Sequence, residues 1–195
     1  MIKKIYLSCY FVFTFCALNS YEIRSPFTHE IVEVSELYFQ AWHDTYDVIA
    51  PHLTLLRTRE NCLKQWQAYY LHINDHKHFI LIARDPENIL GVVYAKPIAY
   101  QAAVEYPGYN FEIDKLYVAK NFKNKGIGTA LLKTALAKMH AMGFNQTIVR
   151  SLTKNQAAAK FYEKSGGILI AQPTVDFNET MNVYRFITFN DRNNY

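Results

Sequence analysis

Near the middle of the chain, Lys123-Asn124-Lys125-Gly126-Ile127-Gly128 separates a strand-like pattern ending at Val118 from a helical pattern beginning at Thr129. Strand, polar turn, Gly-x-Gly and helix together suit phosphate binding. Glycines let backbone approach a ligand and adopt conformations that a side chain would obstruct. The first amides of a helix lack internal acceptors, and its N-terminus carries partial positive charge. Lys123 and Lys125 add charge beside it. The same pattern also fits an ordinary tight turn, and it is neither the GxxxxGK[ST] loop nor the three-glycine dinucleotide fingerprint. Just upstream, Glu112 and Asp114 lie two apart on a strand, which places both carboxylates on one side of it. Elsewhere the chemistry is thinner. His72, His76 and His78 flank Asp75 with loose metal-like spacing, but they read as a solvated helix-to-strand connection. Cys9, Cys16 and Cys62 form no CxxC pair and no zinc spacing. Cys62 reads as a small core residue.

These residues need elements to position them. Ile31, Val34, Tyr38, Ala41 and Trp42 recur at helical spacing, predicting a helix over 29–43 with Thr28 as its cap. Residues 46–51 break that pattern, and a second helix is expected over 59–71. Phe79–Ala83 and Ile89–Ala95 flank the turn residues Asp85-Pro86-Glu87-Asn88 and read as a hairpin. Strands are expected over 109–118, 147–152, 168–171 and 181–189. Helices are expected after Gly128, ending at Gly143, and over 155–165, ending at Gly166-Gly167. The alternation gives one mixed sheet with helices against it, α/β or α+β. A chain of 195 residues, half of them hydrophobic and 19% charged, is one globular domain and excludes a disordered chain, a collagen or a coiled coil. The net charge of +4 lacks the clustered basic stripe of a nucleic-acid binder, so no nucleic-acid partner is expected.

The first 20 residues differ from the rest. Lys3 and Lys4 precede an uncharged, largely apolar run of 14 residues, Ile5 to Leu18. A membrane span needs about 20 apolar residues, so the run is short for one and suits a signal-peptide core. Leu18-Asn19-Ser20 is a weak cleavage site, and the alternatives are a mis-assigned translation start, an uncleaved anchor and a buried N-terminal element. In each case, the domain is expected over residues 21–195.

The stretch from Phe111 to Gly167 resembles the GNAT superfamily of acetyl-coenzyme A-dependent N-acetyltransferases. Leu116-Tyr117-Val118 followed by Phe122 through Leu132 looks like its coenzyme A signature. Asn155, Ala158, Phe161, Tyr162 and Gly166 look like its second motif. Ala41 to Tyr46 with Pro51 matches its N-terminal pattern more loosely. The resemblance implies a mixed, mostly antiparallel sheet with splayed central strands and flanking helices. It implies acetyl-CoA as cosubstrate and no metal.

By the same resemblance, the pantetheine arm lies between strands 111–118 and 147–152, along the main chain of Leu116, Tyr117 and Val118. The phosphates sit on the amides of Lys123, Asn124, Lys125, Gly126, Ile127, Gly128 and Thr129, and Asn155 bonds the cofactor arm. A main-chain amide of 116–118 holds the oxyanion. Tyr162 gives a proton, or a hydrogen bond, to the departing thiolate, as a phenol that keeps its proton at neutral pH can do. An ammonium acceptor must lose a proton before it can attack. Glu112 is the first choice of base and Asp114 the second, directly or through water.

The acceptor is expected to be the primary amine of a small molecule, peptide or protein, with His43, Tyr46, Trp66 and Tyr70 as candidate contacts. A catalytically silent acyl-CoA-binding module is the other reading, and monomer and homodimer both stay open. The donor is made and kept in the cytosol, which favours a cytoplasmic protein over one exported through the N-terminal segment. Two departures from the family pattern stand out. Lys123 replaces its usual Arg or Gln, and Gly167 replaces an aromatic residue, which is expected to loosen the turn into the next strand.

Overall fold

The computed structural model describes residues 21–55, 57–73, 77–98, 105–175 and 178–187. The N-terminal segment 1–20, with Cys9 and Cys16, lies outside the described residues, as do Asp75 and His76. Among the described residues, the order is β1 (Glu22–Arg24), α1 (Ile31–Ile49), α2 (Arg59–His72), β2 (Phe79–Arg84), β3 (Ile89–Pro97) and β4 (Phe111–Val118). There follow α3 (Ile127–Ala141), β5 (Gln146–Leu152), α4 (Gln156–Lys164), β6 (Ile168–Ala171), β7 (Thr174–Val175) and β8 (Glu179–Ile187). The strands run β1-β2-β3-β4-β5-β8-β6, with β7 beside β8. Every pairing is antiparallel except β4 with β5.

The sheet is covered on both faces, which explains the unbroken apolar run of β2. Phe79, Leu81 and Ala83 meet Leu131, Leu132, Ala135 and Met139 of α3. Ile80 and Ile82, pointing the other way, meet Val34 and Tyr38 of α1 and Trp66 of α2. Cys62 is buried in this second layer, and burial pushes its thiol pKa up. Alternation with a period of two thus feeds two cores from one strand.

Several boundaries differ from expectation for packing reasons. The first helix continues past His43 to Ile49 because Trp42, Tyr46 and Ile49 pack with Leu53, Leu152 and Met181. Thr28 is not its cap. The hydroxyl of Thr28 meets that of Tyr70, while the Glu30 carboxylate accepts the Phe27 amide at 2.7 Å and two bonds from Arg24. The last strand begins at Glu179, two residues before the expected start, and is described to Ile187, the expected residues 188 and 189 lying outside the described residues; β7 was not anticipated. Gly167 does not loosen its turn. A Cβ there would lie 2.9 Å from both the Phe186 ring and the Tyr162 carbonyl, and the Gly167 amide bonds that carbonyl at 2.8 Å. The Phe186 ring occupies the place an aromatic residue at 167 would need.

Candidate functional site

The parallel strands β4 and β5 pair over only three positions, Phe111 with Thr147, Glu112 with Ile148 and Ile113 with Val149. Beyond these they part, although β4 runs on to Val118 and β5 to Leu152. A β-bulge coincides with the parting. Ala95 of β3 faces Ile113 and Tyr94 faces Lys115, which leaves Asp114 as the extra residue. A bulge bends its strand and increases its twist, so β4 swings off β5 here. Among the described residues, the β5-facing edge of Leu116, Tyr117 and Val118 is left without a strand partner. Leu116 and Val118 pack toward α3, whereas the Tyr117 ring stands edge-on to Tyr38 of α1.

One end of the fork opens on the loop before α3. Asn124 (φ 62°) and Gly126 (φ 82°) both adopt left-handed backbone, which glycine takes freely and asparagine tolerates. Lys123 donates to Lys120 and Ala130 to Gly126, while the amides from Asn124 to Thr129 between them donate to no backbone carbonyl among the described residues. The turn therefore presents a row of unpaired N–H groups at a helix N-terminus, with the geometry and polarity of an anion cradle. The Lys125 ammonium rests over the Phe122 ring at 5.0 Å.

The other end is a cleft of about 330 Å³ between the fork and the α1–α2 layer. The bulge determines what faces it. Strict alternation would turn Lys115 and Tyr117 away from the side of Glu112. The extra residue turns both toward it, and all four of Glu112, Asp114, Lys115 and Tyr117 line the cleft. Glu112 is 1% exposed. It accepts from Arg150 at 2.7 Å and ion-pairs with Lys96 at 3.2 Å. Asp114 pairs with Lys115 at 2.8 Å and with Lys96 at 3.3 Å. The expected pair of carboxylates thus shares one lysine. Burial pushes the Asp114 pKa up, but Lys115 and Lys96 outweigh it and leave the carboxyl below its usual range. Burial lowers the Lys115 pKa. Burial also acts to lower that of Lys96, but the two carboxylates raise it.

Tyr162 of α4 packs its ring against Phe161, Tyr184 and Phe186. Burial, helped by the neighbouring Tyr46 and Tyr184, raises its phenol well above the ordinary value. Tyr46 of α1 is raised by burial too, opposed by hydrogen bonding with Asn155 and Tyr117. Asn155 also caps α4, its Oδ1 accepting the Ala158 amide at 3.0 Å. Four residues far apart in sequence, Tyr46, Tyr117, Asn155 and Tyr162, thus come within electrostatic reach of one another at the fork.

The four candidate acceptor contacts separate. Tyr46 lines the cleft. Trp66 does not, because it is fully buried between α1, α2 and β3. Tyr70 lies at the Thr28 hydroxyl. His43 bonds Asp47 and the Arg57 carbonyl. The sequence reading missed Arg57, Arg150 and Glu179, which also line the cleft, since isolated charges in unpatterned segments carry no local signal. His78 bonds the Tyr94 hydroxyl at 2.8 Å. Among the described residues, no group of three or more His, Cys, Asp or Glu could hold a metal ion, and no helix is long and apolar enough to cross a membrane.

Residues 30–167 match the acetyltransferase (GNAT) family. Over 98 residues the chain is 26% identical to N-alpha-acetyltransferase 30 of Schizosaccharomyces pombe, covering 50% of this chain and 63% of that enzyme. It therefore spans less than two thirds of that relative's length. Among solved structures, the PaiA N-acetyltransferase of Thermoplasma acidophilum in complex with coenzyme A superposes with a TM-score of 0.69. The identity is 19%, over 86% of this chain and 99% of that one. A ribosomal-protein-alanine N-acetyltransferase of Brucella melitensis gives 0.67 at 19% identity, over 85% and 99%. At these identities the structural likeness establishes the fold.

Proposed function

The chain belongs to the acetyltransferase (GNAT) family, and on that premise we propose that it moves an acetyl group from acetyl-CoA to a primary amine by direct attack through a tetrahedral intermediate. The observation that carries this reading is the parting of β4 and β5 after Ile113 and Val149, beside a loop of unpaired amides. The residues present fit such a cosubstrate. The amides from Asn124 to Thr129 suit its phosphates, and the unpaired edge of β4 suits an amide-bearing arm added like a strand. The cosubstrate supplies an activated thioester. The acceptor nitrogen adds to the thioester carbon to form the new C–N bond, and collapse of the tetrahedral intermediate then breaks the C–S bond and releases the thiolate.

The chain's own residues handle protons and charge. Tyr162 stays protonated at neutral pH because burial raises its phenol, so it can donate to the departing thiolate. Glu112, or Asp114 beside it, takes the ammonium proton directly or through water. Their shared Lys96 and the neighbouring Arg150 and Lys115 orient the carboxylates. A main-chain amide of residues 116–118 holds the oxyanion. Asn155, whose oxygen caps α4 and whose amide meets Tyr46, keeps a second N–H to offer the cofactor arm.

The test is a thiol-release screen over pools of amines and peptides with acetyl-CoA. Release of free coenzyme A thiol with at least one acceptor is expected. Tight cofactor binding with no turnover on any amine would overturn the enzyme reading in favour of an acyl-CoA-binding regulatory module.

A further inference from the structure

The charges around the cleft can be accounted for one by one. Glu112 is matched by Arg150 and Lys96, and Asp114 by Lys115 and Lys96. Glu179 is matched by Lys154 at 2.8 Å, with His52 at 3.3 Å. Every acid of the lining is thus held by a cation. Arg57 is the exception among the lining cations, because it has no carboxylate partner among the described residues. Its guanidinium lies over the Trp42 ring at 4.4 Å and spends one donor on Gln65 at 3.2 Å. Its backbone is fixed as well. The Arg57 amide bonds the Thr54 carbonyl, and the Arg57 carbonyl accepts from His43. A guanidinium carries five N–H donors in a planar fork that matches a carboxylate. Stacking on an aromatic face holds that plane while leaving its edge for a ligand.

We propose that Arg57 receives a carboxylate carried by the acceptor, so that the acceptor is an amine that also bears an acidic group. The proposal rests on the N-acetyltransferase reading and narrows its acceptor class. The pairing around the cleft points the same way. Its three acids are already held by four cations, Lys115 and Arg150 of the lining with Lys96 and Lys154 beside it, and Arg57 adds a charge that has no carboxylate partner among the described residues. A second ammonium on the acceptor would meet cations, whereas a carboxylate compensates the one that is unpaired. Trp42 and Tyr46 supply the flat apolar wall for the body of such a ligand. Two sources share this chemistry: a free amino acid, and a peptide with an acidic residue beside its N-terminus.

The experiment uses matched acceptors that differ only in the acid. Phenylalanine is compared with phenethylamine, methionine with 3-(methylthio)propylamine, and a peptide with Asp at position two with its Asn counterpart. Thiol release gives kcat/KM for each. Titration of the same compounds into the protein saturated with coenzyme A gives the dissociation constants. The carboxylate member of at least one pair should be favoured by roughly 10- to 100-fold, the scale of a charge-assisted bidentate contact. Preference confined to the amino-acid pairs assigns the free amino acid, and preference confined to the peptide pair assigns the acidic peptide.

Arg57→Gln should collapse the preference toward unity while the coenzyme A dissociation constant holds, and Arg57→Lys should restore only part of it. Turnover with equal kcat/KM across every pair overturns the Arg57 assignment and leaves the acetyltransferase reading standing. If no amine is turned over but the titration still shows an Arg57-dependent preference for the carboxylate, the anion site stands and the enzyme reading falls. Equal dissociation constants in wild type overturn the site whatever the turnover.

Discussion

The two ends of the fork are built by different means. The loop from Lys123 to Thr129 offers backbone amides from one contiguous segment, held by two left-handed residues and the first turn of α3. The cleft at the other end offers side chains gathered from α1, the segment before α2, and strands β4, β5, β7 and β8, held by a chain of ion pairs that reaches Lys96 of β3. A backbone site tolerates changes of side chain and fails when the main chain is forced out of shape. A side-chain site fails one residue at a time. The contrast teaches that one end should be robust to most substitutions in its own sequence, while the other should be tunable.

The largest effect should come from the side-chain end. Glu112→Gln removes a proton acceptor with little change of shape and should lower kcat by roughly 10² to 10⁴, with coenzyme A affinity unchanged. Because it also uncovers Arg150 and Lys96, and stripping a buried ion of its partner costs roughly 3–5 kcal/mol, the melting temperature is measured alongside. Asp114→Asn is its counterpart on the same strand. Damage from Asp114→Asn with a silent Glu112→Gln exchanges the two roles, and silence from both routes the proton through water.

Tyr162→Phe comes next, with a loss of roughly 10² to 10³ in kcat by comparison with a lost oxyanion donor. The phenyl ring preserves the contacts with Phe161, Tyr184 and Phe186, so the coenzyme A dissociation constant should stay put. An unchanged turnover number would reduce Tyr162 to a packing residue.

The backbone end is tested by Gly126→Val against Lys125→Ala. A Cβ at Gly126 meets no atom within 4 Å, but the φ of 82° strains any branched residue, by about 1–2 kcal/mol or more. The side chain would also project into the anion cradle. Equilibrium binding should show coenzyme A affinity falling at least about tenfold, with the circular dichroism spectrum retained. Lys125→Ala should cost about fivefold or less, the scale of an exposed charge contact. A lysine effect larger than the glycine effect would break the contrast between the two ends.

The smallest effect at neutral pH concerns the footing of the cleft wall. Glu30, just before α1, is held down to about 2 from an ordinary 4.5 by the Arg24 guanidinium, with burial opposing and the Phe27 amide assisting. A carboxyl depressed in the folded state stabilises above its unfolded pKa and loses that contribution as pH falls toward the folded one. The unfolding free energy from urea titrations should therefore be flat above about pH 5 and decline from about 4.5 toward 2, by about 3 kcal/mol. In Glu30→Gln this part of the slope should vanish.

Much of the fold was legible because it is written locally. The double-sided burial of β2, the turn at Asp85–Asn88 and the Gly-x-Gly helix start each leave a signature within a few residues. So did the amide loop, whose property belongs to the main chain and needs only glycine, a polar turn and a helix behind it. The cleft was not legible in this way. Its central feature, the bulge at Asp114, adds one residue to β4 without any mark in composition, and it reverses which side chains of residues 115–118 face the acceptor side. Counting by twos from Glu112 finds Asp114 and misses Lys115 and Tyr117.

By itself, then, the sequence determined a mixed sheet between helices and a phosphate-suited turn, because periodicity and backbone freedom act over a few residues. Only the tertiary structure decided that Trp66 is core while Tyr46 lines the cleft, that Glu112 and Asp114 share Lys96, and that Arg57 stacks on Trp42 with no carboxylate partner among the described residues. Those relations join residues far apart in the chain. They depend on where the strand bulges, how far α1 continues and which charges find partners when the layers close, and each is settled by packing and desolvation acting on the whole domain.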